Sequence, residues 1–290
     1  MESAPLQLKP FLRALFTDAK RALRDSERLG LGIGGLALLT VFLPESWGRL
    51  AWSGGVLSLV LLVLQQVQGY RFRHLYANAE EIRRQFLLSD GLGSKLSQPE
   101  VSRLILRHGQ LEDDGEPYYT SRFPAGPKRL LMLTWESAFW SEHLQAVFVK
   151  RLLLKAAGTS AIAVVALLFS LYGPEGPVVA KVIPPAMALI VGLNFWGKWV
   201  ESREVHTACE RTCADCEIRV NGNAESESPE GELRDVMQVV LSYSATMLTA
   251  YPAPDKLYEQ MKPRLDAEWD KVEKWAAESD WGRRALGELA

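Results

Sequence analysis

Cysteine is scarce in this chain, at three of 290 residues, and histidine nearly so, at four. Three thiols give no disulfide framework of the secreted kind. His74, His108, His143 and His206 show no metal-ligand spacing to one another. Strand-like alternation of useful length is missing, as is any soluble-type repeat. The net charge is only −2, so no strong field argues for direct DNA or RNA binding. Serine and acidic residues are plentiful, but no catalytic constellation forms, so the chain is not read as an enzyme and no cofactor is expected. A cleavable signal peptide is not expected either. The first apolar run starts only at Leu29, behind a charged segment, and another follows with no small-residue cleavage pattern between them.

Charge is also missing from four long stretches, and these dominate the reading. They run Leu29–Pro44, Leu50–Gly69, Ala156–Pro174 and Pro177–Gly197, and only the fourth carries a charged side chain, Lys181. Each is about 16 to 21 residues long and as a helix would cover roughly 24 to 31 Å, close to the hydrocarbon thickness of a bilayer. They lie in pairs, separated by short links at Glu45–Arg49 and Glu175–Gly176. The expectation is an all-α integral membrane protein with four transmembrane helices, in two hairpins, extended into a cytoplasmic helical bundle.

Lys9, Arg13, Lys20, Arg21, Arg24 and Arg28 precede the first run, and Arg71, Arg73, Lys150, Arg151 and Lys155 flank the middle segment. The positive-inside rule then places both termini and the middle segment in the cytoplasm. Trp47, Trp52 and Tyr172 fit an outer aromatic belt, and Tyr70, Trp196 and Trp199 an inner one. The segments expected are a cytoplasmic N-terminal amphipathic helix (1–28), a first transmembrane hairpin (29–69), a cytoplasmic helical middle segment (70–155), a second transmembrane hairpin (156–199) and a cytoplasmic C-terminal helical segment (200–290).

The helical pattern continues past the apolar runs. Phe72, Leu75, Ala79, Ile82 and Phe86 follow coiled-coil spacing, as do His206, Cys209, Cys213, Cys216 and Val220. Leu12, Phe16, Ala19 and Leu23 share a face. Gly126 and Pro127 open a helix that no Pro or Gly interrupts from Lys128 to Ala157. A capping box, Ser97-x-x-Glu100, predicts a short helix in the middle segment. In the tail, a helix is read over 232–250, broken by Tyr251-Pro252-Ala253-Pro254-Asp255, and a last amphipathic helix carries Leu257, Met261, Leu265, Trp269 and Val272, with a kink possible at Pro263.

Several residue groups are candidates for function. Lys181 is a charge inside an apolar run, which marks either a functional site or a snorkelling side chain. Pro184 and Pro185 remove two amide donors and predict a kink, static or hinging. Gln65, Gln66 and Asn194 are polar near the ends of their runs and either line a water path or bond across helices. These six are the candidate pore or gate residues. Tyr118, Tyr119, Arg122, Lys128 and Arg129 join aromatic faces to cations and are the candidate ligand-binding set, against the alternative of a packed loop with a solvated basic edge. His206, Cys209, Cys213 and Cys216 share one helix face, but the first and last stand about 15 Å apart along it, too far for one ion. A seam of small buried side chains is the favoured reading there, with metal binding as the alternative. Gly30 and Gly34 form a G-x-x-x-G pair that permits close helix approach.

The Asp18-Ala19-Lys20 stretch before the first run, the pattern Tyr251-Pro252-Ala253-Pro254-Asp255-x-x-Tyr258, and Leu265 and Trp269 after it carry a resemblance. With the paired apolar runs, the chain resembles the pore-forming effectors with four transmembrane helices that accompany SMODS-type nucleotide second-messenger synthases in CBASS-like antiphage systems. The resemblance implies a gated, oligomeric effector that permeabilises the bacterial inner membrane in antiviral defence. It also implies membrane lipids, further copies of the chain, and a cyclic oligonucleotide or a nucleotide-synthase system as partners. The alternative is a membrane-anchored scaffold or sensor protein without pore activity.

Overall fold

The computed structural model describes residues 4–41, 48–94, 106, 119, 121–172, 194–222 and 228–287. All regular structure among them is helical. The elements are α1 (Ala4–Val41), α2 (Gly48–Leu92), α3 (Pro127–Tyr172), α4 (Phe195–Val220), α5 (Pro229–Met247), α6 (Asp255–Glu278) and α7 (Asp280–Ala285). The capping box at Ser97 and Glu100 lies outside the described residues.

The chain divides into two units. Unit 1 comprises Met1–Phe16, Tyr76–Phe148 and Glu201–Ala290, and unit 2 comprises Thr17–Leu75 and Val149–Val200. Helices α1 to α4 each contribute residues to both.

The expected seams set the interior. On α2, Phe72, Ala79, Ile82 and Phe86 are buried, and so is Tyr76, which the 3-4 spacing passes over. Burying each large apolar side chain of this kind contributes about 1.5–3 kcal/mol. Leu130, Leu131, Met132 and Leu133 are almost wholly buried, so α3 is enclosed on every side from its second turn. On α6, Leu257, Leu265, Trp269 and Ala276 recur at helical spacing and are buried. Helix ends follow local chemistry. Ser228 caps α5, accepting from the Gly231 amide, and Pro229 occupies the first turn. The Tyr251–Asp255 break separates α5 from α6 as its prolines require. Pro263 lies inside α6.

Gly91 lies where α2 meets α3. A Cβ there would stand 2.8 Å from the Leu130 Cα, so only glycine fits. Its carbonyl accepts from the Gly126 amide at 2.8 Å. In unit 2, α1 and α2 approach at Gly32, where a Cβ would meet the Leu61 side chain at 3.8 Å.

The membrane architecture requires correction. Among the described residues, no helix is long and apolar enough to cross a membrane. In α2 the run from Val56 to Leu64 contains Ser58 and ends at Gln65, Gln66 and Gln68, which leaves about nine residues, ~14 Å of helix, against roughly 30 Å of hydrocarbon. In α1 the described part of the first run contains Gly30, Gly32, Gly34 and Gly35. In α3 the third run contains Gly158, Thr159 and Ser160 near its start. The fourth run, up to residue 193, lies outside the described residues. The all-helical class and the helical bundle stand. The four transmembrane helices, the multi-pass placement in the bacterial inner membrane and the orientation with both termini cytoplasmic do not. Of the aromatic belt, Trp47 lies outside the described residues. Trp196 instead packs edge-on to Trp199 and donates to the Ser160 hydroxyl at 2.9 Å.

Candidate functional site

The segment 121–126 crosses unit 1 just before α3, and its fixings define the candidate site. Arg129, one turn into α3, holds it from below. The guanidinium donates through Nη1 to the Ser121 and Phe123 carbonyls, both at 2.8 Å. Through Nη2 it grips both Asp90 carboxylate oxygens, at 3.0 and 3.2 Å, and through Nε it donates to the Asp90 carbonyl. The planar fork of arginine suits this use, and it leaves the side chain fully occupied.

Helices α6 and α7 hold the segment from the other side. The Arg122 amide donates to Glu273 Oε1 at 2.9 Å. Glu273 is 4% exposed, so a backbone N–H satisfies a carboxylate that α6 would otherwise bury without it. Lys128 Nζ donates to the Trp281 carbonyl at 3.0 Å and stands 5.1 Å from the Trp281 ring centroid. Phe123 packs on the same indole at 5.4 Å. Ser279 fixes the start of α7 by accepting from the Gly282 amide.

Between this segment and the α6–α7 corner opens a cleft of about 450 Å³. Ala277 and Leu286 supply apolar surface. Arg122, Lys274 and Arg283 bring cationic groups to it, and Glu273 and Glu278 bring carboxylates. Arg122 has no ion-pair partner among the described residues, and its side chain is exposed. Lys274 and Glu278 stand 4.0 Å apart and are 76% and 69% exposed, so their pairing is weak. Arg283 pairs with Asp280 on its own helix.

The proposed ligand set is therefore divided by the fold. Tyr118 lies outside the described residues. Tyr119 is buried, sharing a hydrogen bond with Ser137 at 2.8 Å and packing on Phe86. Arg129 and Lys128 are structural ties, and Arg122 alone of the set lines the cleft. Glu273, Lys274, Trp281 and Arg283 were not singled out in the sequence. They stand about 150 positions away from the segment they meet, on a face that reads simply as solvated.

The candidate gate residues Lys181, Pro184 and Pro185 lie outside the described residues. Gln65, Gln66 and Asn194 fall in unit 2. Gln65 is buried, and its carbonyl accepts from the Ser26 hydroxyl at 3.4 Å, whereas Gln66 is exposed. Asn194 has a φ of +43° and opens α4, its carbonyl accepting from the Lys198 amide. Its side-chain amide lies against Gly197, where a Cβ would come within 2.6 Å of Oδ1. Near these residues Lys198 makes a 2.8 Å ion pair with Glu27 across 171 positions, a pairing that no local pattern announces.

The cysteine stripe is a buried seam. Cys209 and Cys216 are fully enclosed and Cys213 is half-buried. Burial pushes the Cys209 thiol up to about 12. Burial, and then the nearby Glu142 carboxylate, pushes Cys213 up as well, and burial does the same to Cys216. Such thiols are poor nucleophiles and poor ligands. His206 faces Glu210 at 3.6 Å. Among the described residues, no three His, Cys, Asp or Glu side chains could hold a metal ion. Beside the seam, Arg83 pairs with Glu80 at 2.8 Å and lies over the Tyr243 ring at 5.1 Å. Burial raises the Glu80 carboxyl, opposed by Arg83 and by a hydrogen bond from Tyr76.

Unit 2 also carries an unusual surface. Val56, Leu57, Leu59, Val60, Leu62, Val63, Leu64 and Val67 are each at least 39% exposed along a dozen residues of α2. Ile162, Val164, Val165 and Leu168 are exposed on α3.

No family model matches the chain, and no curated protein or solved structure shows significant similarity to it.

Proposed function

We propose that the protein is a gated, oligomeric effector of the defence type its sequence resembles, with unit 1 receiving a signal and unit 2 providing the acting surface. The observation that carries this reading is the exposed apolar band of α2. Contiguous exposed apolar patches rarely exceed a few hundred Å² on monomeric proteins, and larger ones mark surfaces covered in use. Valine and leucine exposed in successive turns, with no charged side chain between Leu50 and Gly69, need an apolar cover. Further copies of the same chain, presenting the same band, supply one. The nucleotide signal or protein partner implied by the resemblance would control that assembly. Permeabilisation of a bilayer would be an act of the assembled form and requires no single chain to cross it.

Two measurements on the full chain test this together. Sedimentation should show concentration-dependent association that Leu59→Ser with Val63→Ser abolishes. Dye release from phospholipid vesicles should track the associated form. A chain that remains monomeric at tens of micromolar overturns the reading. Association without dye release favours the scaffold or sensor, and vesicle binding by a monomer assigns the apolar band to lipid instead.

A further inference from the structure

We propose that the cleft between segment 121–126 and the α6–α7 corner binds a small organic oxyanion, a carboxylate or phosphate carried on an apolar body. Its volume, about 450 Å³, lies within the roughly 300–1,000 Å³ usual for small-molecule sites. The lining has two parts that suit the two ends of such a ligand. Ala277 and Leu286 offer apolar contact, and Arg122, Lys274 and Arg283 bring three cations to the same opening. Two of them are arginines, whose forked N–H groups match oxyanion geometry in pairs.

The carboxylates do not cancel this field. Glu273 is turned to the Arg122 amide and is 4% exposed. Glu278 is 69% exposed and holds Lys274 only at 4.0 Å, so water screens it and an incoming anion can displace it. Arg283 pairs with Asp280 through a single side-chain contact on the outside of α7, which leaves guanidinium N–H groups for a ligand. Arg122 has no such partner among the described residues. The cleft walls are firmly held: the Arg129 clamp, the Arg122 amide to Glu273 bond and the packing of Phe123 on Trp281 fix the segment against α3, α6 and α7, and the Lys128 bond to Trp281 ties α3 to α7. A site held in this way loses little freedom when it closes on a ligand.

This inference uses the assignment of signal reception to unit 1, but its test reads binding and not assembly, so each can fail alone. Calorimetric titration of the full chain uses four probes. Hexanoate and phenyl phosphate carry an oxyanion and a body, hexanamide has the body alone, and inorganic phosphate the anion alone. At least one of hexanoate and phenyl phosphate should bind, tenfold or more tightly than its half-probe, and which one does so distinguishes carboxylate from phosphate. Arg122→Ala with Arg283→Ala should weaken that binding at least tenfold, both side chains being exposed enough to leave the fold intact. Ala277→Leu, which fills the floor without altering charge, should weaken it equally. No binding of either probe at 10 mM, equal binding of the half-probes, or binding unchanged in both variants overturns the proposal.

Discussion

Unit 1 encloses a cluster of aromatic side chains and ties Lys128, Arg129 and Glu273 to backbone groups, whereas unit 2 turns the leucines and valines of α2 outward. In unit 1, Trp135 and Phe139 both pack on Trp269, at 5.9 and 5.5 Å between ring centres. In unit 2, Lys198 is buried and paired with Glu27 while Leu59 is 63% exposed. The first pattern belongs to a part that is stable by its own contacts. The second leaves apolar surface uncovered, which under the proposed function further copies of the chain would complete. Both units are helical, so the difference lies in where apolar area ends up.

The contrast can be broken most severely at Trp269, which is 2% exposed. Trp269→Ala should destabilise the chain by about 3–5 kcal/mol in urea unfolding, through lost transfer energy and the cavity left behind. A loss below 1 kcal/mol would mean that the aromatic centre is not a core. Next comes Arg129→Ala, which removes the donors to the Asp90 carboxylate and to three carbonyls, those of Asp90, Ser121 and Phe123. About 3 kcal/mol should be lost in the same measurement, since breaking an enclosed pair leaves its partner uncompensated.

Alkaline pH probes the cysteine seam. Below pH 9 the Cys209 thiol is neutral in both the folded and the unfolded chain, and stability has no slope from it. Above pH 9 the unfolded chain releases the proton that the folded chain keeps up to about 12. Stability should therefore fall by ~1.4 kcal/mol per pH unit for this group, and Cys209→Ala should remove that share of the slope. A slope unchanged in the variant would show the thiol to be hydrated. Ser228→Ala should cost about 1 kcal/mol by uncapping α5. The smallest effect is expected in unit 2. Leu59→Ser with Val63→Ser should leave monomer unfolding unchanged to within about 0.5 kcal/mol, since neither side chain is enclosed. A larger loss would erase the contrast between the units.

Much of unit 1 was legible as spacing. Ala79, Ile82 and Phe86, then Cys209, Cys216 and Val220, then Leu257, Leu265 and Trp269 are buried where helical periodicity places them, while Cys213 and Met261 on the same stripes are half-buried. The Pro252–Pro254 break and the Gly126–Pro127 start work through backbone geometry that a few residues fix locally. The long apolar runs misled because hydropathy along a segment does not report interruption in three dimensions. Ser58 and the glutamines at 65, 66 and 68 shorten the α2 run, and the glycines of α1 dilute the first. The cleft was illegible for another reason: Arg122 meets Glu273, and Lys128 meets Trp281, only through tertiary folding. A basic residue in a turn-rich segment looks the same whether it ends in a strut, as Arg129 does, or at an opening, as Arg122 does.

The junction at Gly91 has a practical corollary. Ser94 is tied back to Ser89 and Tyr119 to Ser137, and the Gly126 amide closes on Gly91 between those ties. Ser94 and Tyr119, which bound the interval 95–118, are therefore each fixed by a bond made outside it. A fluorescent reporter whose own ends lie close together, spliced into that interval, would ride on the protein without prying α2 from α3, and doubling the spliced length would raise the closure entropy by only about 0.6 kcal/mol.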